Sequence, residues 1–215
     1  MPPTPLIALA RRIAAAHALD PALVCAVIEQ ESSWNPYAMR YEPTFFSRYV
    51  APLYTNNKIT ASEAWARGFS WGLMQVMGQV AREHGFAASE HPFLSELCDP
   101  EQGIAVGCRV LSAKLALAAN DFPRNAVRGS VSVNPSSYEV IPSERSESRN
   151  PSASPASSPS STSSISSVSS ASSTSSIPSA SSLDPALLTR ALLLWNGGGN
   201  PNYPAQVLAR LPRYS

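Results

Sequence analysis

The sequence predicts an all-α fold with little or no sheet, interrupted by one long disordered insertion. Three observations predict it. Apolar residues outside the insertion recur at helical rather than alternating spacing. The pair Asp-Pro, an N-cap followed by proline at the first helical position, occurs at Asp20-Pro21, Asp99-Pro100 and Asp184-Pro185. Between the second and third of these lies a stretch of quite different composition.

Taken in order, Pro5 to Leu19 is Ala-rich, and Leu6, Leu9, Ile13 and Ala16 form a helical stripe. Asp20 and Pro21 open a second helix expected to run to about Ser33. Trp71 to His84 gives a further stripe, Leu73, Val76, Met77 and Val80, closed by Gly85 in the C-cap position. The remaining Asp-Pro pairs start helices expected over 100–119 and 185–196.

From Pro151 to Ser182 serine fills more than half of the positions, with Ala, Pro and Thr most of the rest. Such a segment has too little apolar surface to offset the entropy of ordering. Asn125 to Asn150 shows neither periodicity and is grouped with it, although Gly129 to Val133 is compatible with a brief strand. Residues 125–183 are therefore expected to be a Ser/Pro-rich disordered insertion. The catalytic domain is expected from 1–124 plus 184–215, because 184–215 alone is too short to bury a core. Loop-closure entropy grows only logarithmically, so the insertion should cost no more than about 2–3 kcal/mol.

Sixteen Lys plus Arg stand against 15 Asp plus Glu in 215 residues, a net charge of +1. That balance argues against a nucleic-acid binder driven by counterion release. A charged fraction of 14% beside 44% hydrophobic residues excludes collagen, a coiled coil and an acidic tail. The longest apolar candidate, Ala22 to Ile28, stops at Glu29, well short of the roughly 20 residues that span a bilayer; no transmembrane segment is expected. Arg11 and Arg12 fall in the middle of the first twenty residues and no small-residue cleavage site follows, so the sequence shows no recognisable signal peptide. Cys25, Cys98 and Cys108 are not spaced with histidines as a zinc site would be. No metal and no cofactor are expected; a Cys98 to Cys108 bridge and three buried thiols both fit.

Glu31 is the informative residue. At 100° per residue it falls on the same face of the second helix as Val24, Val27 and Ile28, whereas Glu29 points away and reads as solvated. A carboxylate on a buried face either pairs with an arginine or, without a cation, has a raised pKa. The second case gives the protonated state that a general acid needs.

Four ordered blocks now resemble a known family. Glu31-Ser32 with Trp34-Asn35-Pro36, then Gly72-Leu73-Met74-Gln75, then Leu97 to Gly107 with Asp99-Pro100 and Ile104, and last Trp195-Asn196-Gly197-Gly198 resemble the soluble lytic transglycosylases. The likeness covers both flanks of the insertion. It is strongest to small phage- or prophage-like members, whose last block runs into a sequence similar to Asn200-Pro201-Asn202-Tyr203-Pro204.

The resemblance implies an all-α, lysozyme-like fold. It also implies cleavage of the β-1,4 bond between N-acetylmuramic acid and N-acetylglucosamine in peptidoglycan, with a 1,6-anhydro product. Glu31 would be the single acid and base, the substrate's own C6 hydroxyl serving as nucleophile, an exception to the two-carboxylate scheme. Gln75 and Met77 would line the groove, Asn196 would lie near the cleavage subsite, and the Tyr203 hydroxyl would approach the glutamate. Ser32, which either orients Glu31 or packs, and Ser70 join the substrate-facing set. Tyr41 and Tyr49 come from the aromatic-rich stretch Arg40 to Trp65 and are expected as sugar platforms. Trp195 stands where the family usually has Tyr, which keeps a flat surface and loses a phenolic hydroxyl. Gly103 replaces a common Asn.

The expected partner is the peptidoglycan glycan strand, and the expected state a monomer acting on the cell envelope, in the periplasm or outside the cell. Phage delivery is one of the export routes left open. Two other readings remain: a goose-type lysozyme, which uses water and leaves a reducing end, and a non-catalytic wall-binding relic.

Overall fold

The computed structural model describes residues 3–121 and 183–215. The expected insertion, including its Gly129 to Val133 strand, lies outside the described residues apart from Leu183. The described residues belong to one compact unit.

Helix α1 (Thr4–Ala16) leads into α2 (Pro21–Ser32). The start of α2 is fixed locally: Asp20 Oδ1 accepts from the amides of Ala22 at 2.7 Å and Leu23 at 3.4 Å, and Pro21 occupies the first turn, where no donor is needed. Every residue from Ala22 to Ile28 is buried. A helix apolar all round belongs in the centre of a fold, and α1 packs against α2 there. The stripe Val24, Val27, Ile28 therefore does not distinguish one buried face. Glu29 also departs from expectation: it is half-buried, accepts from the Tyr214 hydroxyl at 2.8 Å and pairs with Arg213.

After two consecutive left-handed residues, Ser33 and Trp34, the chain enters strand β1 (Met39–Tyr41). A helical stretch follows, α3 (Pro43–Phe45), a π-helical turn (Phe46–Val50) and α4 (Ala51–Thr55), then α5 (Ala61–Arg67). Strands β2 (Phe69–Trp71) and β3 (Val76–Met77) complete an antiparallel sheet in the order β1-β2-β3. Arg40 pairs with Ser70, and Ser70 with Met77.

This sheet replaces most of the helix expected from Trp71 to His84. Only α6 (Gly78–Glu83) is helical, closing at His84 before Gly85. Residues 72–75 instead form a tight turn in which Gly72 has φ +69° and Gln75 φ +47°. A Cβ at Gly72 would stand 2.2 Å from the Leu97 carbonyl oxygen, so the position needs glycine for both its backbone and its neighbour. Leu73 is buried from this turn and Val76 from β3 just after it, and their three-residue spacing imitates a helical stripe.

A 3₁₀ turn (Leu94–Cys98) precedes α7 (Pro100–Asp121), whose start is capped by Asp99 accepting from the Gln102 amide at 2.9 Å. Gly103 lets α7 close on that turn, since a Cβ there would lie 2.4 Å from the same Leu97 oxygen. Helix α8 (Pro185–Trp195), capped by Asp184, packs extensively on α7, and α9 (Tyr203–Leu208) and a 3₁₀ turn (Leu211–Arg213) close over α2. The three Asp-Pro starts thus fall where the sequence places them.

By length and composition alone α7 is the one helix among the described residues long and apolar enough to cross a membrane, an 18-residue window within Pro100–Asn120 having a mean hydropathy of 1.2. Its Ile104, Val106, Cys108, Val110 and Leu111 are buried, and it packs between α1 and α8 as a core helix. All three cysteines are free thiols rather than two of them bridged. Burial pushes Cys108 up to about 12 and Cys25 to about 11.

Candidate active site

Glu31 sits in the last turn of α2, where the buried run ends and the side chain reaches the surface of the core. Its Oε1 accepts two hydrogen bonds, from the Trp195 indole Nε1 at 2.8 Å and from the Tyr203 hydroxyl at 2.6 Å. Both donors lie beyond the insertion in sequence. They are presented by the C-terminal end of α8 and the first residue of α9, joined by a reversal in which Gly197 and Gly198 take φ +67° and +76°. Among the described residues Oε2 receives no hydrogen bond.

Burial raises the Glu31 pKa above the ordinary carboxylate value; the bonds from Tyr203 and Trp195 and the charge of Arg40 act in the opposite direction, and Glu42 reinforces the rise. The direction fits the desolvation rule, with donors moderating it. The Tyr203 hydroxyl is itself held protonated, by burial and by the neighbouring carboxylate, so it remains a donor. The other acids near this helix are committed elsewhere: Glu42 pairs with Arg40, and Glu29 with Tyr214 and Arg213.

Trp195, which the sequence presents as a stacking surface lacking a hydroxyl, thus supplies an N–H to the carboxylate. Asn196 follows it and donates from Nδ2 to the Asn200 carbonyl at 3.3 Å. Ser32 donates to the Leu73 carbonyl at 2.8 Å, tying the end of α2 to the 72–75 turn. Gln75 spends its side chain on the turn and the strands that flank it. Its Nε2 donates to the carbonyls of Ala38 at 2.8 Å and Gly72 at 2.9 Å, and its Oε1 accepts from Ser70 Oγ at 2.9 Å. What Gln75 offers a ligand is limited to the second lone pair of Oε1. Ser70 is buried in β2, opposite the half-buried Met77 of β3.

Tyr41 and Tyr49 belong to a separate set of aromatics. The Tyr41 ring packs against Phe46, Trp65 and Phe69 with centroids 5.2–5.8 Å apart. Tyr49, about half exposed, is flanked by Phe45 and the Arg48 guanidinium. Neither makes a hydrogen bond or ring contact with the Glu31 group among the described residues.

Sequence reasoning missed a second cluster beside the site. Trp34 Nε1 donates to the Tyr214 hydroxyl at 2.9 Å, that hydroxyl donates to Glu29, and Arg11 Nη2 donates to the Tyr214 carbonyl at 2.6 Å. Trp34 and Tyr214, both large, amphipathic and next to polar segments, were the available signal. Among the described residues no group of three or more His, Cys, Asp or Glu could hold a metal ion.

Residues 8–141 match the Transglycosylase SLT domain family. No curated protein and no solved structure matches the chain. The matched segment contains Glu31, Ser32, Ser70, Gln75 and Met77, while Trp195, Asn196 and Tyr203 lie beyond it and join the site through the fold. The family carries a lysozyme-like, mostly helical architecture and lytic-transglycosylase-type activity on the peptidoglycan of the cell envelope. With more than half of its length matched, the chain belongs to the transglycosylase SLT domain family.

Proposed function

We propose that the protein cleaves the MurNAc-GlcNAc β-1,4 bond of peptidoglycan as a lytic transglycosylase, with Glu31 as the only acid and base. The observation that carries this reading is the asymmetry of the Glu31 carboxyl: Oε1 holds two donors and Oε2 none among the described residues. A proton on the acid therefore resides on Oε2. From there it passes to the glycosidic oxygen as the bond from C1 to that oxygen breaks. The carboxylate so formed is stabilised by the N–H of Trp195 and the O–H of Tyr203. It then takes the proton from the muramic acid C6 hydroxyl as O6 bonds to C1, which closes the 1,6-anhydro ring and returns Glu31 to its protonated form.

No second carboxylate is required, in contrast to the two-carboxylate scheme, and the commitments of Glu29 and Glu42 elsewhere support that economy. Met77, Asn196 and the remaining lone pair of Gln75 are proposed along the glycan path near the cleavage point; Ser70, expected there from the sequence, is buried and instead holds the Gln75 amide. Ser32 acts through the turn it anchors, and Tyr41 and Tyr49 form a more distant sugar platform. The domain is proposed as 1–124 plus 184–215, acting as a monomer without metal or cofactor.

Clearing of purified sacculi by the wild type but not by Glu31→Gln tests the reading. New reducing ends in proportion to cleavage would instead identify a goose-type lysozyme. Binding of both proteins without any clearing would identify the wall-binding alternative.

A further inference from the structure

An amide relay links the catalytic helix to the segment that supplies both donors. Gln206 on α9 accepts at Oε1 from two side-chain amides, Gln30 Nε2 at 3.1 Å and Asn200 Nδ2 at 3.2 Å. Gln30 is the residue immediately before Glu31. Asn200 organises the loop between α8 and α9: its carbonyl accepts from Asn196 Nδ2 at 3.3 Å and from the Tyr203 amide at 3.1 Å, and its Oδ1 accepts from the Asn202 amide at 3.0 Å. Gln30 commits its amide to Gln206 although its own Oε1 is left buried with no hydrogen-bond partner. Gln206 is thus the hydrogen-bond tether of that side chain among the described residues.

We propose that Gln206 is a positioning residue for the reaction, holding the 196–203 loop against α2 so that Trp195 and Tyr203 keep their donors on Glu31. This rests on the reading of Glu31 as the acid and base. The Gln206 side chain bonds to Gln30 and Asn200 and not to the Glu31 carboxylate. Its side chain is exposed, so its loss removes registration between two elements rather than core packing. Two acceptor contacts at one oxygen are what a carboxylate also provides, whereas a thioether of similar length provides no comparable acceptor.

The test compares Gln206→Met, Gln206→Glu and Gln30→Met with the wild type and Glu31→Gln on soluble glycan strands, measuring kcat, KM, the pH profile and melting temperature. Gln206→Met and Gln30→Met are expected to lower kcat roughly 5- to 30-fold, the factor that the loss of one to two such contacts carries. KM should change little. Their alkaline limb should move in the direction that Tyr203→Phe moves it, and Gln206→Glu should restore most of kcat. A Gln206→Met enzyme with wild-type kcat and pH profile, or one whose loss Gln206→Glu does not repair, overturns the inference while leaving Glu31 in place. An active Glu31→Gln overturns the reading of Glu31 itself.

Discussion

The Tyr203 hydroxyl donates to Glu31 Oε1 at 2.6 Å although the two residues are 172 positions apart in the chain. That contact, with the Trp195 indole on the same oxygen, couples the last segment of the sequence to the acid and makes the protonation state of Glu31 a property of both.

Tyr203→Phe removes one donor while keeping the ring and its burial. A hydrogen bond to a charged group is worth about 1.5–3 kcal/mol, so kcat should fall about 10- to 100-fold. The donor lowers the Glu31 pKa against the opposing effect of burial. Its loss raises that pKa further, and the alkaline limb of the pH profile, where the acid loses its proton, should move to higher pH. A kcat–pH profile checks both.

Glu31 also leaves a signature in stability. Its folded-state pKa is raised above the ordinary glutamate value, so between its unfolded and folded pKa values the folded protein binds more protons than the unfolded one. Its contribution is complete below the unfolded pKa and is lost as pH rises through the folded pKa. Glu31→Gln, which cannot ionise, should melt close to the wild type near about pH 4 and above it near about pH 8. Thermal melts at the two pH values measure the difference.

Tyr214→Phe removes the hydroxyl that serves Trp34 and Glu29 at once, leaving the Trp34 N–H buried without that acceptor. The expected cost is about 1–3 kcal/mol of stability, measured by urea unfolding. Glu29, relieved of this bond, keeps Arg213.

Much of this architecture was legible because its signals are local. Asp20, Asp99 and Asp184 accept from amides two or three residues ahead, contacts that any chain with Asp-Pro at a helix start can make. The sheet was illegible because strands of two and three residues are too short to show alternation, and Leu73 of the turn with Val76 of β3, both buried, supplied a false helical period. Glu31 was found on a face argument that the all-round burial of α2 does not support. Periodicity sets it apart from Glu29, but both side chains are half-buried, and the resemblance adds the role that burial alone does not assign. The donor from Trp195 was beyond reach, since it depends on how α8 meets α2 in three dimensions.

The packing of α7 on α8 holds together the two segments that residues 122–182 separate in sequence. We propose accordingly that deleting Asn125 to Ser182 leaves folding and activity intact, with stability changed by no more than about 2–3 kcal/mol from loop entropy. Circular dichroism melts and sacculus clearing check this; a collapse in melting temperature would make those residues part of the structure.

Mass spectrometry of the muropeptides released from purified sacculi by the wild type and by Glu31→Gln reads both the product and the role of Glu31. The expected result is a set of 1,6-anhydromuropeptides from the wild type that is absent with the variant. Reducing-end muropeptides, or anhydro products that persist in Glu31→Gln, would contradict it.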